Sequence, residues 1–231
     1  MNQQITQINV TADTTNIVVF IHGFGVRYDS RGMFTDIKES LPEGWGSALF
    51  DLYTVSEDDI TITTVTEQVK RVASVVAAIQ SEYPNTIIHI VAHSMGCIVA
   101  SLANLKIEGH VVLLAPPDTF GGRALEMYFT HYPGATKGTS ELLVPRKNGT
   151  TTHIPYTFFN EMAELEPIDT IATYSSTLLI DLIQTTKDEV IGTTNFKTLG
   201  SNVHISQIAA DHNFTGENRN KLIDLLAKIL N

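Results

Sequence analysis

The chain has 231 residues, 43% hydrophobic and 17% charged, with a formal net charge of -10 at pH 7. This composition is globular and excludes intrinsic disorder. The acidic balance argues against nucleic acid or an anionic membrane as partner. No window holds the run of about 18 apolar residues that a membrane-spanning helix needs. The opening stretch "MNQQITQINV" has neither the basic cluster nor the apolar core of a secretory leader. A lone cysteine, Cys97, cannot form an intrachain disulfide and reads as a small buried hydrophobe. The expected compartment is therefore the cytoplasm.

Taken in chain order, strand-like and helix-like patterns alternate, which predicts an α/β fold: a mostly parallel central sheet with helices on both faces. Residues 4 to 10 alternate polar and apolar, as an exposed edge strand does, and 17 to 21 ("IVVFI") are apolar throughout, as an inner strand is. A helix is expected from about 33 to 41 and a strand at 48 to 53 ("ALFDLY"). Val65, Val69, Val72, Val76 and Ile79 recur three or four apart, predicting a helix from about 65 to 82 that stops before Pro84. Then come a buried strand at 86 to 92, a helix at 95 to 106 and a strand at 110 to 115 closed by Pro116 and Pro117. That helix is apolar on nearly all sides and so must lie centrally.

From about 117 to 160 the alternation breaks. This segment holds seven of the chain's 18 aromatic residues, about twice an even share, and "ELLVPRKNGTTTHI" has two strand-like runs around Asn148-Gly149, a favoured hairpin turn pair. It reads as a small cap inserted into one domain that spans residues 1 to 231. The core resumes with a helix near 160 to 174, strands at 177 to 183 and 203 to 208, and a final helix striped by Leu222, Leu225, Leu226, Ile229 and Leu230.

"AHSMG", residues 92 to 96, stands between the strand at 86 to 92 and the central helix. It approaches the nucleophile elbow G-x-S-x-G, in which a strained turn lifts the serine hydroxyl above the strand end. The positions two before and two after the serine must be small because backbones approach closely there, and Ala92 and Gly96 both qualify. Ser94 is thus the candidate nucleophile. "HGFG", residues 22 to 25, follows the inner strand, and its turn can aim backbone N–H groups at a developing oxyanion. The expected donors are the N–H groups of Phe24 and Met95, while His22 is expected to brace the loop and transfer no proton.

A serine hydroxyl needs a base, and the base needs an acid. His212 in "ADHNF", before the last helix, is the candidate base. For the acid, Asp188 in "TTKDEV" follows a late strand and precedes His212, with Glu189 and Asp118 as rivals. Asp181 lies within the strand, and Asp211 adjoins His212 too closely to turn back to its ring. The other histidines show no metal-ligand spacing, and no glycine-rich phosphate loop occurs, so no metal and no cofactor are expected.

Together "HGFG", "AHSMG", "KDEV" and "ADHNF" make the chain resemble the α/β-hydrolase superfamily over nearly its whole length. The elbow is similar to that of small bacterial lipases, which also carry alanine in its first position. "VVLLAPPD", the aromatic insertion and "EPIDTIATYSSTLLI" are similar in layout to the small-cap cinnamoyl or feruloyl esterases. The resemblance implies the α/β-hydrolase fold, Ser94 as nucleophile, Asp188 as acid, His212 as base, and hydrolysis of a small-molecule ester through an acyl-enzyme. Two departures bear on subfamily: no GxG turn follows "FDLYT", and only one strand precedes "IVVFI". The expected activity is a serine carboxylesterase on short to medium acyl esters, with a feruloyl esterase as alternative. Thioester or carbon–carbon hydrolysis would use the same three residues. A non-catalytic binding protein on this fold would usually have lost one of them.

Overall fold

The β-branched runs pair into one twisted sheet, as seen in the computed structural model, which describes residues 6–56, 59–121, 123–147 and 149–230. The first elements are β1 (Gln7–Asn9), β2 (Asn16–Ile21), α1 (Met33–Glu39), β3 (Trp45–Leu49), β4 (Thr54–Val55) and β5 (Asp59–Thr61). The middle of the chain forms α2 (Val65–Glu82), β6 (Ile87–His93), α3 (Met95–Ala103) and β7 (Val111–Leu114). Next come α4 (Ala124–Thr130), β8 (Thr136–Lys137), β9 (Glu141–Pro145), β10 (Thr151–Pro155) and α5 (Tyr156–Ala163). The chain closes with α6 (Pro167–Ser175), β11 (Ile180–Thr185), β12 (Val203–Ile208) and α7 (Glu217–Leu230).

Seven strands form the central sheet in the order β1-β3-β2-β6-β7-β11-β12. β1 runs antiparallel to β3, and every other neighbouring pair is parallel. Along β2 the side chains alternate: Ile17, Val19 and Ile21 join one apolar cluster with Val72, Val76 and Ile79 of α2, Val99 of α3 and Ile171 of α6. Val18 and Phe20 join another with Phe34 of α1 and Leu222 and Leu226 of α7. Both faces are therefore covered, which is why the inner strands are apolar without alternation. Among the described residues no helix is long and apolar enough to cross a membrane.

α2 starts where its capping box sets it, the Thr64 side chain accepting from the Glu67 N–H while the Glu67 carboxylate accepts from the Thr64 N–H. α3 is buried from Met95 to Ser101, as its apolar surround demands, but it ends at Ala103 with Asn104 in the left-handed region, short of residue 106. Three further expectations need correction. The strand placed at 48 to 53 is Trp45–Leu49, because Phe50, Leu52 and Tyr53 are buried in the loop that follows. The helix near 160 to 174 is two helices, with Pro167 opening α6 at a position where its missing N–H costs nothing. The strand at 177 to 183 begins later, at Ile180. β4, β5, β10, β9 and β8 form a second, five-stranded sheet that the sequence pattern did not suggest beyond its hairpin. Within that hairpin β9 pairs antiparallel with β10; Asn148 of the turn lies outside the described residues, as do residues 4 and 5 of the first expected strand.

Candidate active site

All the parallel strands of the central sheet present their carboxyl ends on one side, and the loops there converge. Ser94 sits between β6 and α3 with φ 55° and ψ -128°, a strained conformation for a non-glycine residue. Its N–H donates to the Leu114 carbonyl at 2.9 Å. Ser94 occupies the N-cap position of α3, yet its side chain caps nothing, so its hydroxyl is left for another partner. The turn closes because Gly96 faces the end of β2: a Cβ there would stand 2.5 Å from the Ile21 carbonyl oxygen, with the His22 oxygen closer still. Ala92, by contrast, fits fully buried within β6.

The partner is His212, in the loop between β12 and α7. Its Nε2 lies 2.9 Å from Ser94 Oγ and its Nδ1 lies 2.8 Å from Asp188 Oδ2. A carboxylate only accepts, so Nδ1 carries the proton and Nε2 is free to accept from the serine hydroxyl. Asp188 follows β11, and its side chain is shielded from solvent. Its Oδ1 accepts the N–H groups of Val190 and Ile191 at 3.0 and 2.9 Å, and its Oδ2 accepts the Thr185 hydroxyl at 2.6 Å. Burial alone would raise this carboxyl, but the hydrogen bonds from His212, Ile191 and Thr185 outweigh it and hold the group at about 2. Asp188 is therefore ionised throughout the neutral range.

The rival carboxylates are engaged elsewhere. Glu189 accepts the backbone N–H of His212 at 3.1 Å and so pins the loop, not the ring. Asp118 accepts the Asn195 N–H at 2.7 Å, and Asp211 accepts the Thr215 N–H at 2.9 Å. Asp181, in β11, faces His204 and His110 at 3.6 and 4.0 Å.

Phe24 and Met95, the expected oxyanion donors, line the same cavity as Ser94. Gly23 packs so closely that a Cβ would stand 3.0 Å from Ser94 Cβ, which brings the Gly23–Phe24 peptide against the serine. Met95 opens α3, so its N–H has no partner within the helix. His22 does brace this loop: its Nε2 accepts the Leu52 N–H at 2.9 Å, so its Nδ1 donates to the Gly23 carbonyl at 2.8 Å. Complete burial pushes it down to about 4, keeping it neutral.

Sequence reasoning missed two residues. Tyr53 Oη accepts the Val26 N–H at 2.8 Å and donates to the Val26 carbonyl at 2.5 Å, fixing the far end of the "HGFG" loop. His93, directly before Ser94, donates through Nε2 to the His212 carbonyl at 2.9 Å, while its Nδ1 meets the Ser30 hydroxyl at 3.2 Å. It falls just past the strand expected at 86 to 92, although β6 includes it, and only its neighbour Ser94 could have drawn attention to it.

Over Ser94 lies a cavity of about 640 Å³. The segment between β7 and α6 supplies much of its wall through Phe120, Leu125, Tyr128, Phe129 and Tyr132. Phe158 and Phe159 do not reach it; Phe158 stacks on Phe24 at 5.3 Å and Phe159 lies 6.5 Å from Phe129. Four of the seven aromatic residues of the insertion thus face the cavity, while Phe158 packs onto Phe24 of the "HGFG" loop and Phe159 packs against Phe129 and Phe158.

The alpha/beta hydrolase family matches residues 18–189, and the chain belongs to that family. Among solved structures it is similar to Est1E from Butyrivibrio proteoclasticus with ferulic acid bound, at 15% identity and TM-score 0.71, covering 96% of this chain and 94% of that one. The esterase domain of a Rhodothermus marinus protein is 16% identical with TM-score 0.66, covering 96% of this chain and 89% of that one. An alpha-beta serine hydrolase homologue from Coxiella burnetii is 14% identical with TM-score 0.64, covering 100% and 98%. At these identities the likeness is one of fold. No curated protein matches the chain.

Proposed function

We propose that this hydrolase is a serine carboxylesterase that cleaves short to medium acyl esters through an acyl-enzyme. The observation that carries the reading is the unbroken hydrogen-bonded series Ser94–His212–Asp188 beneath a cavity walled in part by aromatic side chains. In it, His212 Nε2 takes the Ser94 proton as Oγ attacks the ester carbonyl, and Asp188 supports the imidazolium that forms. The N–H groups of Phe24 and Met95 receive the developing oxyanion; one such donor typically contributes about 3 kcal/mol to the barrier. His212 then protonates the departing alcohol, and water, activated by the same nitrogen, releases the acid. The partner is a small-molecule ester, and with one lone, buried thiol the compartment we favour is the cytoplasm.

The aromatic walls favour a second reading, hydrolysis of hydroxycinnamate esters, which the likeness of fold to Est1E with ferulic acid bound also supports. A panel of p-nitrophenyl esters of rising chain length plus methyl ferulate, run beside Ser94→Ala, tests both. Hydrolysis lost in Ser94→Ala, with the fold intact and fluorophosphonate labelling gone, is the expected result. Retained turnover in that variant would overturn the proposal, and methyl ferulate outpacing the short esters would select the second reading.

A further inference from the structure

The chain carries 15 basic residues against 25 acidic ones, yet four basic side chains stand around one cleft beside the site. Arg27, Arg31, Arg146 and Lys147 line this space of about 540 Å³, formed by the loop after β2 and the β9–β10 hairpin. The cleft is continuous with the Ser94 cavity, since Val26, Arg31, Tyr132 and Arg146 line both.

Arg146 is held in place and yet unfinished. Its Nε donates to Thr152 Oγ1 at 2.7 Å, and its guanidinium packs closely over Gly25, so that a Cβ added there would push it aside. Its Nη2 is buried and has no hydrogen-bond partner among the described residues. Neither Arg31 nor Arg146 forms an ion pair among those residues, although Asp29 lies on the cleft wall and Glu189 on the cavity wall. Glu189 is engaged with the His212 N–H. Burial holds the Arg146 guanidinium below its ordinary range, and the nearby Arg31 adds like-charge repulsion. A buried cationic donor without an acceptor is costly, and a planar guanidinium is shaped to take a carboxylate or phosphate through two parallel hydrogen bonds.

We propose that Arg146, assisted by Arg31, forms an anion subsite where the cleft meets the Ser94 cavity, so that the preferred esters carry a carboxylate or phosphate group. This inference rests on the esterase reading above. It specifies one end of the substrate: an ester bond at Ser94 and a negative charge that reaches the hairpin.

The test compares kcat/KM for matched anionic and neutral esters. One pair carries the charge on the acyl side, p-nitrophenyl hydrogen glutarate against p-nitrophenyl pentanoate, and another on the alcohol side, 4-acetoxybutanoate against butyl acetate. A phosphonate-ended acyl ester separates phosphate from carboxylate recognition. We expect the anionic member of at least one pair to be favoured by about tenfold or more, mainly through KM, and the preference to weaken with added salt. Arg146→Gln should bring that ratio close to one, Arg31→Gln should reduce it, and Arg146→Lys should retain part of it. Equal turnover of charged and neutral esters, or a preference untouched in both Arg146→Gln and Arg31→Gln, overturns the subsite and leaves the esterase reading standing. If no ester of either kind is hydrolysed, the esterase reading itself fails and the subsite falls with it.

Discussion

Replacing Gly96 by alanine should damage this protein far more than replacing Ala92 by glycine, although both lie two residues from Ser94. An alanine Cβ at position 96 would meet the Ile21 oxygen at 2.5 Å, and the His22 oxygen closer, where 3.0 Å is the near limit for such contacts. The end of β2 and the start of α3 would have to part by about 0.5 Å or more. Both obstacles are backbone carbonyls of β2 and its exit, and β2 is locked to β6 through residues 16 to 21, so no side chain can swing aside. Overpacking of this kind costs about 1 to 3 kcal/mol, and the double backbone clash points to the upper end. Parting the two elements also shifts the His22–Phe24 turn away from Ser94, and a displacement of roughly 1 Å at a reacting centre can cost about 100-fold in rate. Ala92→Gly removes one buried methyl and adds chain entropy, a loss of about 1 kcal/mol, and leaves the turn in place. Urea denaturation read by circular dichroism, with kcat/KM on p-nitrophenyl butyrate, measures both effects. If Gly96→Ala kept parental stability and turnover, or Ala92→Gly proved equally harmful, the account of the elbow given above would be refuted.

Asp188→Asn should lower kcat by about four orders of magnitude while leaving the fold intact, because an amide no longer fixes the His212 tautomer; a fall of less than about tenfold in steady-state assays would remove Asp188 from the acid's role. His22 and His93 are buried and neutral, pushed down to about 4 and about 3 by burial, with the charge of His212 adding to the effect on His93. Because the folded values lie below the ordinary 6.5, the stability they contribute is complete above that pH and lost as the pH falls. Two such groups imply a loss on the order of 2 to 3 kcal/mol per pH unit between about pH 6 and pH 4. Urea midpoints at pH 7, 5.5 and 4.5 measure this, and a flat profile would contradict it.

How much of this was legible in sequence depended on whether the deciding contact was local. α2 was read from about 65 to 82 because its apolar spacing is local, although the Thr64–Glu67 box that fixes its start went unread. The β3 boundary was misplaced because Phe50, Leu52 and Tyr53 carry the same apolar signal as strand residues while lying in a loop. The second sheet was invisible because β5 finds its partner in β10, some ninety positions on. Residues 160 to 174 read as one helix because the apolar spacing continues across the break, and only Pro167 betrays it. That Ser94, Asp188 and His212 come together was legible because each occupies a loop at a strand's carboxyl end, a placement set by element order. Arg146 was not, since nothing in the composition of a hairpin says which of its side chains will turn toward a cavity.

Three histidines near the elbow show why residue type alone could not settle the base. His22 has a backbone N–H on one ring nitrogen and a backbone carbonyl on the other. Both are consumed by the loop, and protonation would break the bond from Leu52. His93 spends one nitrogen on the His212 carbonyl and the other on Ser30, so its effect on Ser94 passes through the position of His212. Only His212, of the three, has a carboxylate on one nitrogen and a hydroxyl on the other. That asymmetry is what proton transfer requires: an anion to stabilise the charged ring and a proton to be taken on the opposite side. The neutral pair are then the scaffold, one holding the Gly23–Phe24 turn against Ser94 and the other holding the backbone of the proposed base. Their depressed basicity is part of that work, since a charged His93 would stand 4.9 Å from the ring of His212 and oppose the imidazolium that the proposed reaction forms.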